Sequence, residues 1–141
     1  MSEFTFALIK SQAIRHNLHG IVLARIMENN FVIHRAEWMT LSRPVICEFY
    51  RDHLGKPYWN DLEQSVAGHV IALILMQDSA ITRWRSIMGD TDPKKAAAGT
   101  IRALAHDEPI MANNVVHGSD SQEAARCEIY QIFGDRSANG S

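Results

Sequence analysis

A chain of 141 residues, 46% hydrophobic and 21% charged, has the length and composition of one globular domain, and it can bury roughly two-thirds of its unfolded surface without staples. Its formal net charge of −2 argues against the basic field of a nucleic-acid binder, and no apolar run is long enough to span a membrane. The cysteines, Cys47 and Cys127, match no metal or redox spacing, and the start Met-Ser-Glu-Phe-Thr-Phe lacks the charged and apolar regions of a signal peptide, so cytoplasmic residence is expected.

Thr5-Phe6-Ala7-Leu8-Ile9 is a run of β-formers, predicted as a buried strand that delivers Lys10 at its C-terminal end. From Leu18 to Asn29 the apolar residues recur with a period of about 3.6, which predicts a helix. Phe31 to Met39 reads as a second strand. Ser42-Arg43-Pro44 opens a helix, with Ser42 as N-cap and proline in the first turn, and Leu54-Gly55-Lys56-Pro57 breaks it. Tyr58 to Val66 follows as a short helix. Val70 to Met76 is nearly all apolar and predicts a central strand. Gln77-Asp78-Ser79 is expected to cap a helix through Met88. Gly89-Asp90-Thr91-Asp92-Pro93 is a turn, Lys94 to Ala98 a loop or short helix, and Ala103 to Asn113 irregular. Asn114-Val115-Val116 reads as a short strand ended by His117, and a helix capped within Ser119-Asp120-Ser121 runs to about Phe133. Helices on one face of a four-stranded antiparallel sheet, in this order, predict an α+β fold, a ferredoxin-like sandwich. One domain over 1–136 and a flexible polar tail over 137–141 are expected.

The stretch from Asn114 to Ser121 is where chemistry is expected. His117 lies at a strand end, beside the turn that Gly118 permits and in front of a helix start. A histidine beside a turn is more often structural than catalytic. Here the following helix carries Glu128 close to its apolar positions, and a carboxylate there can hydrogen-bond one ring nitrogen, fix the tautomer and leave the other as a nucleophile. No phosphate-binding glycine motif, zinc spacing or Gly-x-Ser-x-Gly elbow exists. Phosphate chemistry therefore needs separate cations, and Lys10, Arg85 and Arg102 stand at or near element ends. Tyr50 and the pair Tyr58-Trp59 are core aromatics by their pattern, and one of them is a candidate to stack on a base.

Several segments then carry a resemblance. Thr5 to Lys10, Phe49-Tyr50-Arg51-Asp52-His53-Leu54-Gly55-Lys56-Pro57-Tyr58, Met88 to Pro93, Gly99-Thr100-Ile101-Arg102 and Asn114 to Ser121 together resemble the nucleoside diphosphate kinase family, in family order and nearly at family spacing from about residue 4 to 134. The resemblance implies ping-pong transfer of the γ-phosphoryl group of a nucleoside triphosphate, mainly ATP, to nucleoside diphosphates. His117 is the implied nucleophile through Nδ1, with Glu128, Ser119 and Lys10 completing the catalytic group. Lys10, Tyr50, Arg85, Thr91, Arg102 and Asn114 fall where the family contacts phosphates and ribose. Tyr58 falls where a ring, usually Phe, stacks on the base, and Leu62 adds apolar contact. Mg²⁺ is implied as a cofactor held mainly by the nucleotide phosphates, with no direct protein ligand. A homo-oligomer is implied, with a hexamer favoured over a tetramer and dimer contacts from Leu18 to Met39. Neither a membrane nor a nucleic-acid partner is expected.

The sequence departs from the family in three places. Ser11-Gln12 replaces the Pro-Asp that usually follows the lysine, which frees the turn aiming Lys10. Ala67-Gly68-His69 replaces Ser-Gly-Pro. The segment from Ala103 to Asn113 is longer than is usual, and base contacts from Met111 or Ala112 are left unassigned. The alternative is a catalytically weakened nucleotide-binding or regulatory module on the same fold.

Overall fold

The computed structural model describes residues 2–134, so the expected tail over 137–141 lies outside the described residues. The chain runs β1 (Ser2–Ile9), α1 (Ser11–Arg15), α2 (His19–Glu28), β2 (Val32–Thr40), α3 (Arg43–Phe49), α4 (Trp59–Val66), β3 (His69–Asp78), α5 (Ala80–Met88), β4 (Val116–Gly118) and α6 (Gln122–Phe133). Single 3₁₀ turns at Arg51–His53 and Arg102–Ala105 interrupt the loops. The strands form one sheet in the order β2-β3-β1-β4, with every neighbouring pair antiparallel. This is the ferredoxin-like α+β sandwich expected from the sequence.

The helices lie on both faces of the sheet, where one face was expected. Side chains alternate along a strand. Ala7 and Ile9 of β1 and Ile71, Leu73 and Leu75 of β3 face one cluster, with Val22 and Ile26 of α2 and Trp84 and Met88 of α5. Phe6, Leu8, Val70, Ala72 and Ile74 face the other, with Ile46 of α3, Leu62 and Val66 of α4 and Ile129 of α6. Burial on both sides is why β3 reads as an unbroken apolar run. Each large aliphatic side chain so buried contributes roughly 1.5–3 kcal/mol.

Local signals explain the helix starts unevenly. Ser42 and Ser121 behave as read, their hydroxyls accepting the N–H of Val45 at 3.4 Å and of Ala124 at 3.0 Å. Ser79 does not cap α5. It sits at φ +54, and the Ile81 N–H goes instead to Oε1 of Glu3, 2.9 Å away on β1. The short α1 was not foreseen. Ser11 and Gln12 in it are buried yet bonded outward, Ser11 Oγ donating to the Ser65 carbonyl at 3.1 Å.

The last strand starts two residues later than expected. Val115 has φ +74, and the Val116 N–H donates to the Asn114 carbonyl at 2.8 Å, closing a three-residue turn. A β-branched residue enters that region only under tertiary constraint. Val116, His117 and Gly118 then pair with Ile9, Leu8 and Ala7.

Gly118 is needed for space. A Cβ there would lie 2.5 Å from Cδ1 of Trp84 and 2.6 Å from Cε of Met88, both on buried side chains of α5. Gly118→Ala is expected to cost about 1–3 kcal/mol of stability by overpacking. A urea unfolding curve whose midpoint matches the parent would contradict this.

Candidate active site

The site is built where β1 and β4 meet, under the loops that precede β4. Leu8 and His117 are register partners, so the N-terminal strand sets the depth of the imidazole. Trp84 Nε1 donates to the His117 carbonyl at 3.3 Å from the opposite face. The ring is walled by Phe6, Phe49 and Tyr50, with centroids 6.1, 4.9 and 5.8 Å from it, and of these Tyr50 also lines the cavity.

Glu128 of α6 bonds the ring. Its Oε1 lies 2.9 Å from His117 Nε2 and 2.9 Å from Ser119 Oγ. Ser119 is itself fixed, because its hydroxyl accepts the Phe6 N–H at 3.2 Å. A carboxylate accepts only, so Nε2 carries the proton and Nδ1 keeps its lone pair. The sequence pointed to this pairing because α6 begins just after the strand.

An open cavity of about 340 Å³ lies in front of His117, and Lys10, Tyr50, Tyr58, Leu62, Thr91, Arg102 and Asn114 all line it. Glu128 and Ser119 stand behind the imidazole, outside that lining. Arg85 is exposed on α5 and does not line the cavity, although its charge reaches Arg102. Spacing did not single out His53, Asp61 or Met111, which also line the wall. They come from irregular loops and a helix's first turn, where no periodicity marks a face.

Lys10 and Arg102 form the cationic wall. Lys10 is 3% exposed, and Nζ donates to the Ala112 carbonyl at 3.0 Å and to Ser65 Oγ at 3.4 Å. Burial, then the neighbouring Arg102 charge, lowers its pKa to about 7. Arg102 donates to the carbonyls of Asn114, Gly89 and Val116 at 3.3, 3.1 and 3.0 Å. Burial, then Arg85, lowers its pKa to about 10. Among the described residues no carboxylate lies within ion-pair distance of either cation. The Tyr50 phenol is pushed up by burial and by the Glu128 charge, which keeps it a neutral hydroxyl. Among the described residues that hydroxyl and Asn114 Oδ1 are buried without a hydrogen-bond partner, an arrangement costing about 1–3 kcal/mol each while it persists.

The turn after Lys10 is anchored without the proline. Gln12 is buried, and its Oε1 accepts the Val115 N–H at 3.0 Å, while the Lys10 N–H donates to the Val115 carbonyl at 2.9 Å. Val115 is thus gripped on both sides, and its positive φ is held by residues more than a hundred positions away.

A tautomer-fixed imidazole shares one cavity with two buried cations with which, among the described residues, no carboxylate pairs within ion-pair distance, a site on an α+β fold suited to phosphate esters. The comparisons place it further. The nucleoside diphosphate kinase family model matches residues 3–138. A nucleoside diphosphate kinase of Wolinella succinogenes is 40% identical over 97% of this chain and 99% of its own. The crystal structure of a nucleoside diphosphate kinase from Encephalitozoon cuniculi superposes with TM-score 0.87 at 28% identity, covering 94% of this chain and 90% of that one. A halophilic relative from Halobacterium salinarum, in complex with CDP, superposes with TM-score 0.86 at 26% identity over 100% of this chain and 99% of its own. The chain belongs to the nucleoside diphosphate kinase family and is an enzyme of the phosphotransferase class. Among the described residues no helix is long and apolar enough to cross a membrane.

Lys10 gives the site a pH signature. The unfolded chain holds that proton up to about pH 10.5, whereas the folded protein releases it from about 7. Stability therefore rises with pH across that window and the gain is lost as pH falls through about 7, with a slope of at most about 1.4 kcal/mol per pH unit. Urea titrations of the parent and of Lys10→Met are expected to differ in this slope, which the variant loses. Parallel pH profiles would contradict the assignment.

Proposed function

We propose that the enzyme transfers the γ-phosphoryl group of a nucleoside triphosphate, mainly ATP, to nucleoside diphosphates in a ping-pong cycle through phosphohistidine on His117. The observation that carries this reading is the 2.9 Å bond from His117 Nε2 to Glu128, which leaves Nδ1 as the nucleophilic nitrogen at the cavity. In the first half-reaction the Nδ1 lone pair forms a bond to the γ-phosphorus. The bond to the β,γ-bridging oxygen breaks, and the diphosphate leaves with that electron pair. Positive charge developing on the ring is balanced through Nε2–H by Glu128, which Ser119 holds in place. The second half-reaction reverses these steps onto another diphosphate.

Phosphoryl transfer depends on placement and charge neutralisation more than on covalent machinery. Lys10 and Arg102 supply the charge. Arg102 has about five N–H donors and three are engaged by carbonyls, so donors remain for phosphate oxygens. Thr91, Tyr50 and Asn114 take the ribose and phosphate contacts in this reading, and the unpartnered Tyr50 hydroxyl and Asn114 Oδ1 fit that use. Arg85 contributes from outside the lining. Tyr58 and Leu62 hold the base, and stacking reads no base edges, so broad base tolerance follows. The lining offers a single carboxylate, Asp61, which fits an Mg²⁺ ion held mainly by phosphate oxygens and water. Bound there, Mg²⁺ would neutralise phosphate charge.

We take the working unit to be the domain over 1–136, in the cytoplasm, where the free thiols of Cys47 and Cys127 suit a reducing medium. We also propose a homo-oligomer, a hexamer rather than a tetramer. The exposed apolar side chains of Ile21 and Met27 on α2 and of Val32 and Trp38 on edge strand β2 support self-assembly.

The test is incubation with γ-labelled ATP and Mg²⁺. The parent is expected to take acid-labile label that GDP removes as GTP, and His117→Ala to take none. Glu128→Ala is expected to slow labelling by about 10- to 100-fold, by analogy with metal-bound histidines that lose their orienting carboxylate. A parent that binds ATP yet takes no label would overturn the reading.

A further inference from the structure

The mouth of the cavity carries a side-chain bond that the family pattern does not require. Tyr58 stands where that pattern usually has phenylalanine, and its hydroxyl lies 2.6 Å from Nδ1 of His53. Both residues line the cavity. Their rings meet edge on, with centroids 5.6 Å apart. The bond closes the loop Leu54-Gly55-Lys56-Pro57, which turns at Gly55 with φ +78. Backbone bonds run in parallel with it, from the Lys56 N–H to the His53 carbonyl at 3.2 Å and from the Trp59 N–H to the Lys56 carbonyl at 3.0 Å.

Tyr58 is 40% exposed, so packing alone holds its ring weakly. An exposed aromatic side chain on a loop samples several rotamers, and ordering it when a ligand arrives weakens binding. A free phenol beside a base would also donate to one base edge and not to another, which makes a platform selective. The bond to His53 removes both effects.

We propose that His53 is a positioning residue for the nucleotide base: its Nδ1 engages the Tyr58 hydroxyl, fixes the ring before ligand arrives, and leaves the ring face as the surface offered to the base. This inference rests on the nucleotide reading of the cavity. His53 acts through Tyr58 and touches no reacting atom.

The variants are Tyr58→Phe, which keeps the ring and removes the bond, His53→Ala, His53→Asn, which keeps a polar atom near the Nδ1 position, and the double Tyr58→Phe/His53→Ala. Hydrogen exchange of the 54–59 amides is measured without nucleotide, and dissociation constants for ADP and GDP by calorimetry. Tyr58→Phe and His53→Ala are each expected to speed exchange and weaken both nucleotides by about 2- to 10-fold, the range of one neutral hydrogen bond. The double variant should bind no more weakly than either single one, and His53→Asn should bind close to the parent. The rate of His117 labelling at saturating ATP should change by a smaller factor than binding. Unchanged exchange in Tyr58→Phe overturns the lock. Additive losses in the double variant overturn action through Tyr58 and put His53 on the nucleotide itself. Faster exchange in variants of a parent that binds neither ADP nor GDP overturns the nucleotide reading, and with it the role toward a base.

Discussion

Arg102 holds the loop that holds the histidine. Its three bonds to the carbonyls of Gly89, Asn114 and Val116 tie the end of α5 to both sides of the turn at Val115. Neutral carbonyls satisfy Arg102 donors without neutralising its charge, which Asp90 offsets only in part. Lys10 is in the same state, bonded to a carbonyl and a hydroxyl. Removing such ions from water costs on the order of several kcal/mol each, and they repel one another. The lowered pKa values of both groups express that cost. A polyanion entering the cavity would relieve it, so the backbone's shape and the proposed affinity rest on one constraint.

The imidazole is governed by a second chain of contacts with the opposite polarity. Phe6 N–H fixes Ser119, Ser119 bonds Glu128, and Glu128 bonds His117. Negative charge stands behind the ring and positive charge across the cavity from it. A ring so placed keeps its lone pair toward the cations, and rotation about χ1 is resisted by the aromatic walls of Phe6, Phe49 and Tyr50.

Much of this was legible in the residues. The apolar runs gave β1 and β3, Ser42 and Ser121 marked true helix starts, and the proximity of Glu128 to His117 followed from a helix beginning just after a turn. What was hidden depends on contacts distant in sequence. The helix α1 exists because Ser11 and Gln12 bond to Ser65 and Val115, not because five polar-rich residues favour a helix. No propensity puts a valine at φ +74. The cap of α5 comes from Glu3, on another strand. The burial of both sheet faces was implicit in the unbroken apolar run of β3, which alternation toward one face would not have produced. Arg85 and Arg102 look alike in sequence, yet one is exposed and the other is buried on carbonyls. His53 sits in a segment without a period, so no local pattern announced it at the cavity, and for the same reason Met111 was left unassigned.

The sheet order has a consequence for the chain as it is made. Of the described strands β1 is synthesised before the others but lies inside the sheet, between β3 and β4, and β4 emerges after them. Until then β1 presents the backbone of Ala7, Leu8 and Ile9 as an open edge, flanked by apolar side chains. The bonds around it span 103 to 113 positions, which makes this step a loop closure across most of the described residues. A ribosome-bound fragment ending before β4 therefore carries an open apolar strand and lacks His117, and that edge closes only when the candidate site assembles.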